Sequence, residues 1–139
     1  MKLLLDSLPK PPKIVEKAWG KEYWLVNEPY LYCCKLLCLK RGWQGSHHRH
    51  PSKDETFLVL GGRVQMQYGN ESDKFNPKII GKIAIMQPGD RVRVKAGTWH
   101  RFCGCEASEI LEVSSYHSDK DVERREESKR FWMLQGEKR

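Results

Sequence analysis

The sequence predicts an all-β barrel or sandwich followed by one short helix. Turn signals rich in Gly, Pro, Asn and Asp recur at roughly eight- to twelve-residue intervals from about residue 27 to residue 108. The runs between them are rich in β-branched and aromatic residues, and several alternate polar with apolar, as half-buried strands do. A helical spacing is absent until the last stretch of the chain.

The elements follow in order. Met1 to Lys13, carrying Pro9, Pro11 and Pro12, reads as an extended arm. Ile14 to Val26 reads as two short strands broken at Trp19-Gly20, and Asn27-Glu28-Pro29 as a turn. Tyr30 to Lys40 is a strand, apolar on both faces around Leu36 to Leu39, as expected where a sheet is covered on both sides. Gly61-Gly62 is a hairpin turn into Arg63 to Tyr68, the clearest polar/apolar alternation in the chain. Gly69 to Pro77 reads as a polar loop, and Lys78 to Met86 as a strand interrupted by Gly81. Arg91 to Val94, Trp99 to Cys103 and Glu109 to Ser114 complete the strands. A helix is expected from Ser118, whose spacing to Asp121 suits a capping box, through DVERREESKR to the apolar Phe131-Trp132-Met133-Leu134. The implied organisation is an arm over 1–13, a β-barrel over 14–117, and a helix and tail over 118–139.

At 139 residues the chain is one domain with enough material for a core. No apolar run reaches the length of a membrane span or a signal peptide, so a soluble cytoplasmic protein is expected, with no membrane partner. The five cysteines, Cys33, Cys34, Cys38, Cys103 and Cys105, lack the paired spacing of a thiolate zinc site and read as reduced thiols. Lys and Arg outnumber Asp and Glu 18 to 9 over residues 1–105, and are outnumbered 7 to 9 over the remainder. The basic residues are scattered singly, without the Arg-rich helix or basic-aromatic motif of a nucleic-acid binder. A positive surface around a pocket fits a small anionic molecule such as a sugar phosphate.

Chemistry concentrates in Gly42 to Gly62, GWQGSHHRHPSKDETFLVLGG. Residues two apart on a strand share a face, so His48 and His50 can reach one ion together, with His47 pointing away. Pro51-Ser52-Lys53-Asp54 reads as a turn that resets the phase and brings Glu55 to the same site. His100 follows a hairpin at Gly97, on a strand that can lie beside the one carrying His48 and His50. Three imidazoles and a carboxylate suit a divalent transition metal, Zn, Mn, Fe or Ni, with positions left for water or substrate.

These residues carry a family resemblance. Gly42, five residues, His48, one residue, His50, four residues, Glu55, six residues and Gly62 resemble the first motif of the cupin superfamily. Gly89, five residues, Lys95-Ala96-Gly97, two residues and His100 resemble the second, with Lys95 where the family usually has Pro and Gly104 where it usually has Asn. A narrower likeness, to type II mannose-6-phosphate isomerases, rests on Glu16-Lys17-Ala18-Trp19-Gly20, Gly97-Thr98-Trp99-His100-Arg101, Leu111 to Ser115, Asp121 to Arg124 and Arg130. The resemblance implies a double-stranded β-helix (jelly-roll) barrel linked to sugar or nucleotide-sugar metabolism.

The reaction implied is a metal-dependent aldose–ketose isomerisation, which moves a proton between adjacent carbons through an enediol. Lys95, Tyr116 and His117 are the candidates for proton transfer, and Arg101, Arg124 and Arg130 for holding an anionic sugar or sugar-phosphate substrate. An iron-dependent oxygenase using the same four ligands and a non-catalytic sugar-binding module are the alternatives. Sheet edges in a small barrel need cover, and the arm and the end of the helix supply it in an expected homodimer.

Overall fold

Every regular element of the described chain is a strand. The computed structural model describes residues 9–72 and 80–130. In order the strands are β1 (Lys13–Lys17), β2 (Gly20–Glu28), β3 (Tyr32–Leu39), β4 (Trp43–Gln44), β5 (His47–Arg49), β6 (Glu55–Gly61), β7 (Val64–Ser72), β8 (Ile80–Met86), β9 (Arg91–Val94), β10 (His100–Gly104), β11 (Ser108–Ser114), β12 (Glu123–Glu126) and β13 (Lys129–Arg130). They form two antiparallel sheets. One runs β1-β2-β3-β11-β6-β9; the other runs β12-β5-β10-β4-β13, with β7 pairing β10 and β8.

Strict alternation along the central strands of the first sheet decides what lies between the sheets. Residues 33, 35, 37 and 39 of β3, 55, 57 and 59 of β6, and 108, 110, 112 and 114 of β11 are buried, while their neighbours are more exposed. At one end the inward residues are apolar. Leu37, Leu39, Phe57, Val59 and Ile110 meet Val64, Met66 and Met86 of the second sheet in one cluster. Each such side chain contributes about 1.5–3 kcal/mol when fully removed from water. At the other end the same positions carry Cys33, Lys35, Glu112, Ser114 and Glu55, all buried. The barrel thus has an apolar floor and a charged upper half.

The turn glycine at the β6–β7 hairpin is required by geometry. Gly62 has φ +83°, and a Cβ there would strike Ser108 Oγ and the Ala107 carbonyl oxygen. The Ser108 hydroxyl itself accepts from the Arg63 amide at 3.1 Å, tying the hairpin to β11. Among the described residues no disulfide is formed, and burial pushes the Cys103 thiol up to about 12. Among the described residues no helix is long and apolar enough to cross a membrane.

Two expectations are corrected. Gly69 to Ser72 continue β7 and are not the start of a loop; residues 73–79 lie outside the described residues. The expected C-terminal helix is absent from residues 118–130, which hold a turn and the strands β12 and β13. Its apolar end, Phe131 to Leu134, lies outside the described residues, as does Met1 to Leu8 of the arm on which the dimer expectation also rests. The physical reason is legible in the contacts. Between 118 and 130 only Val122 is apolar, so a helix would have no face to bury. The Ser118 hydroxyl accepts from the Lys120 amide at 3.3 Å and the Ser118 carbonyl from the Asp121 amide at 3.0 Å, which closes a turn. The chain then crosses the free edge of β5, pairing Glu123 with Arg49 and Arg124 with His48.

That strap is fastened by charges. Arg49 donates to Glu123 (Nη2–Oε2 2.7 Å), and the Arg125 guanidinium lies 4.7 Å from the centre of the Trp99 ring. Arg101, buried on β10, donates to the Gly45 carbonyl at 3.0 Å, to Glu126 at 3.3 Å and to the Glu127 carbonyl at 3.2 Å. Substituting Arg101→Met should therefore cost about 2–4 kcal/mol, through the acceptors it leaves unpaired. The expected result is a lower urea midpoint together with faster amide exchange over residues 121–130; an unchanged midpoint would contradict this account of the strap.

Candidate metal centre

Four elements bring the sequence-predicted donors together at the charged end of the barrel. β5 carries His48, the turn after it carries His50, β6 opens with Glu55 and β10 opens with His100. Antiparallel pairing sets His100 directly opposite His48. The ring centres of His48 and His100 are 4.6 Å apart, those of His48 and His50 are 5.0 Å apart, and those of His50 and His100 are 6.3 Å apart.

Each imidazole is oriented through its Nδ1. That of His48 lies 2.9 Å from the Ser46 carbonyl, that of His50 2.6 Å from the Asp121 carbonyl, and that of His100 2.9 Å from the Thr98 carbonyl. A carbonyl can only accept, so each Nδ1 holds a proton, and a ring in its neutral form presents an unprotonated Nε2. Burial, then the neighbouring His100, pushes His48 down to about 3; burial also lowers His50. Burial works to raise the Glu55 carboxyl, but His100, Lys53 and His50 outweigh it and hold it well below the ordinary carboxylate range.

Acceptors therefore face acceptors. His100 Nε2 lies 3.3 Å from Glu55 Oε2, and His50 Nε2 lies 3.7 Å from Glu55 Oε1. Glu55 Oε2 is fully buried and has no hydrogen-bond partner among the described residues. Lone pairs held this close need a cation between them, either a proton on an imidazole or a metal ion. Donor atoms bound at about 2.1 Å to one ion stand about 3.0–3.4 Å from each other; the His100–Glu55 spacing falls in that range and the His50–Glu55 spacing lies just outside it, while the donor types suit a divalent metal. Among the described residues no group of three or more His, Cys, Asp or Glu side chains is arranged to hold a metal ion as it stands; the four side chains converge on one end of the barrel without closing on a common point.

The centre opens into a cavity of about 310 Å³, the low end of the range for small-molecule pockets. Its wall includes Trp19, Glu22, Trp24, Lys35, Glu112 and His117. Lys53 is part of the same wall, 2 % exposed, and its ammonium hydrogen-bonds Glu112 and His117 and ion-pairs with Glu55. Nζ lies 2.6 Å from Glu112 Oε2, 3.3 Å from Glu55 Oε1 and 3.1 Å from His117 Nδ1. Burial works to lower the Lys53 pKa, but Glu112 and Glu55 outweigh it and keep the ammonium charged. Glu112 is further fixed by the Ser114 hydroxyl at 3.0 Å. His117 Nε2 lies 3.0 Å from Asp119 Oδ1, and burial, then Lys35 and Lys53, pushes its pKa down to about 4.

The other sequence candidates divide. His117 and Arg124 line the cavity. Lys95 is exposed at a turn, outside the cavity wall. Tyr116 packs against Tyr30, with ring centres 5.4 Å apart, Arg101 fastens the strap, and Arg130 lies 5.5 Å from the Trp43 ring centre. His47 points away from the centre and stacks on Trp99 at 5.4 Å. Sequence reasoning passed over Lys35, Lys53 and Glu112. The signal for Lys35 and Glu112 was a charged residue at an inward position of a strand alternation, in CCKLLCL and SEILEVS; Lys53, in the turn before β6, had none.

The model of the Cupin domain family matches residues 35–115. The chain belongs to the cupin family. No curated protein matches this cupin in sequence. Solved structures match its fold. A nucleoside dehydratase, Pac13 from Streptomyces, solved with uridine, has a TM-score of 0.68 at 10% identity, over 87% of this cupin and 93% of that chain. KdgF from Halomonas sp. has a TM-score of 0.59 at 19% identity, over 72% of this cupin and 81% of that chain. Oxalate decarboxylase from Bacillus subtilis has a TM-score of 0.68 at 15% identity, over 87% of this cupin but only 34% of that longer chain. At these identities the likeness is one of fold.

Because Lys53 joins two buried carboxylates, Lys53→Met should destabilise this cupin by about 3–5 kcal/mol, leaving Glu55 and Glu112 uncompensated. A paired Lys53→Met, Glu112→Leu replacement should recover part of that loss in urea denaturation. A single variant as stable as the parent would remove Lys53 from this role.

Proposed function

We propose that this cupin is a metal-dependent enzyme that interconverts aldose and ketose forms of a small sugar or sugar phosphate. In this reading His48, His50, Glu55 and His100 hold the ion. The observation that carries the reading is the set of unprotonated Nε2 atoms facing an orphaned, buried carboxylate oxygen at the head of a sugar-sized cavity. A divalent ion bound there would act as a Lewis acid toward neighbouring carbonyl and hydroxyl oxygens. Solved proteins of this fold named as a nucleoside dehydratase and an oxalate decarboxylase support an enzymatic role over a purely structural one.

The chain's own residues supply the proton transfer. Aldose–ketose isomerisation needs a base that removes a proton from one carbon and returns it to the next. Glu112 suits this task, since Lys53 and Ser114 both hold Oε2 and leave the carboxylate with one oxygen that makes no hydrogen bond within the described residues. His117, neutral and linked to the same Lys53 ammonium, is placed to exchange a proton with a substrate hydroxyl. Leu37, Leu39, Phe57 and Ile110 line the apolar side of the cavity and keep bulk water from the reacting carbons.

Metal analysis is the first test. The purified protein should carry one divalent ion, and adding back the native metal after chelation should raise the melting temperature by ligand linkage. His48→Ala and His100→Ala should abolish both effects. Full metal content in His48→Ala would remove the site, and iron with strictly oxygen-dependent turnover would replace the isomerase with an oxygenase.

A second test addresses the base. Glu112→Gln should lower kcat on sugar phosphates by about 10²–10⁴-fold, and should stop deuterium entering the sugar from heavy water, with metal content unchanged. Undiminished deuterium exchange in that variant would exclude Glu112 as the base.

A further inference from the structure

Two lysines are buried in the cavity wall, and they are treated differently by the protein. Lys53 hydrogen-bonds Glu112 and His117 and ion-pairs with Glu55, as described above. Lys35, 3 % exposed in the middle of β3, makes no hydrogen bond among the described residues. Among the described residues its ion-pair contact is Glu22 Oε1 at 3.9 Å, beyond hydrogen-bonding distance, and its Nζ lies 4.0 Å from the centre of the Trp24 ring. The arrangement is held open. Trp24 Nε1 donates to that same Glu22 oxygen at 2.9 Å, fixing the carboxylate on the indole and away from the ammonium.

Register places this pair within reach of the proposed chemistry. Lys35 sits opposite Trp24 on one side and opposite Glu112 on the other, in one row across the inner face of the sheet. Cys33, Ser114 and Glu55 form the next row of that face. With strands about 4.8 Å apart and residues rising about 3.4 Å, the Cα atoms of Lys35 and Glu55 stand about 12 Å apart. Their side chains both enter the same cavity, from two different rows of its wall. A buried ammonium without hydrogen bonds is unfavourable unless a ligand completes it. Burial lowers its pKa, partly offset by Glu112, and an arriving anion would favour its charged form.

We propose that Lys35, backed by the Trp24 ring, is the subsite for an anionic substituent, a carboxylate or a phosphate monoester, at the end of the substrate remote from the metal centre. The inference deepens the isomerase reading, on which it rests for the orientation of the substrate.

The test uses three probes that share one ring and differ only at the sixth carbon: D-glucose, D-glucuronate and D-glucose 6-phosphate. Binding to the full chain is followed by tryptophan fluorescence and calorimetry, with and without added divalent metal. The parent should prefer at least one anionic probe over glucose by about 10- to 100-fold, the range of a charged hydrogen bond. Which anion wins distinguishes carboxylate from phosphate recognition. Lys35→Met should erase that preference while raising the melting temperature, because it removes a buried cation with no hydrogen-bond partner; Lys35→Arg should retain part of the preference. Equal binding of all three probes by the parent, or an anion preference that survives in Lys35→Met, would overturn the proposal, as would a lower melting temperature of Lys35→Met with unchanged binding. A protein that prefers the anionic probe through Lys35 yet turns over no sugar would sink the isomerase and leave this subsite standing.

Discussion

The ammonium of Lys53 is the interaction on which the charged half of this barrel depends. Glu55 and Glu112 come from neighbouring antiparallel strands, β6 and β11, and both point inward because alternation leaves them no other direction. Two carboxylates in that interior would repel each other and lose hydration at once. One cation hydrogen-bonded to Glu112, close to Glu55 and also in contact with His117 makes the arrangement tolerable. The lysine is itself fixed from outside, since its backbone amide donates to Asp121 of the strap at 2.9 Å. Strand pairing, strap and buried charge therefore support one another.

The barrel and the convergence of its histidines were legible because both depend on short-range rules. The two-residue step from His48 to His50, the turn before Glu55 and the hairpin before His100 each constrain the chain locally, and antiparallel pairing does the rest. The inward lysines were harder to read. A charged residue inside an apolar run such as CCKLLCL reads from the sequence as an exposed interruption, and only the pairing of Lys35 with Glu112 across β3 and β11 explains its burial. Lys53 was read as part of a turn, which it is; its side chain turns inward because Glu112 waits 59 residues further along the chain.

The strap illustrates a different limit. Residues 118–130 are dense in charge, and charge-rich segments suit exposed helices as readily as edge strands. What decides the outcome is non-local: the open edge of β5, the buried Arg101 and the ring of Trp99 exist only once the barrel has formed. The arginines expected to grip substrate divide for the same reason. Arg101 reaches outward to the strap, and of the three only Arg124 enters the cavity wall.

The carbonyl that orients His50 has a consequence for the order of events during folding. Ser46 and Thr98 aim His48 and His100 from two residues away, so those rings are set as soon as their own hairpins form. His50 takes its orientation from Asp121, 71 residues later in the chain. Closing that contact is a long-range event, entropically late compared with local turns. A nascent chain would pass through a stage in which the barrel is paired and two imidazoles are aimed, while the third still swings free. The donor cluster would then be completed only in the last step of assembly, when the strap crosses β5 and not before.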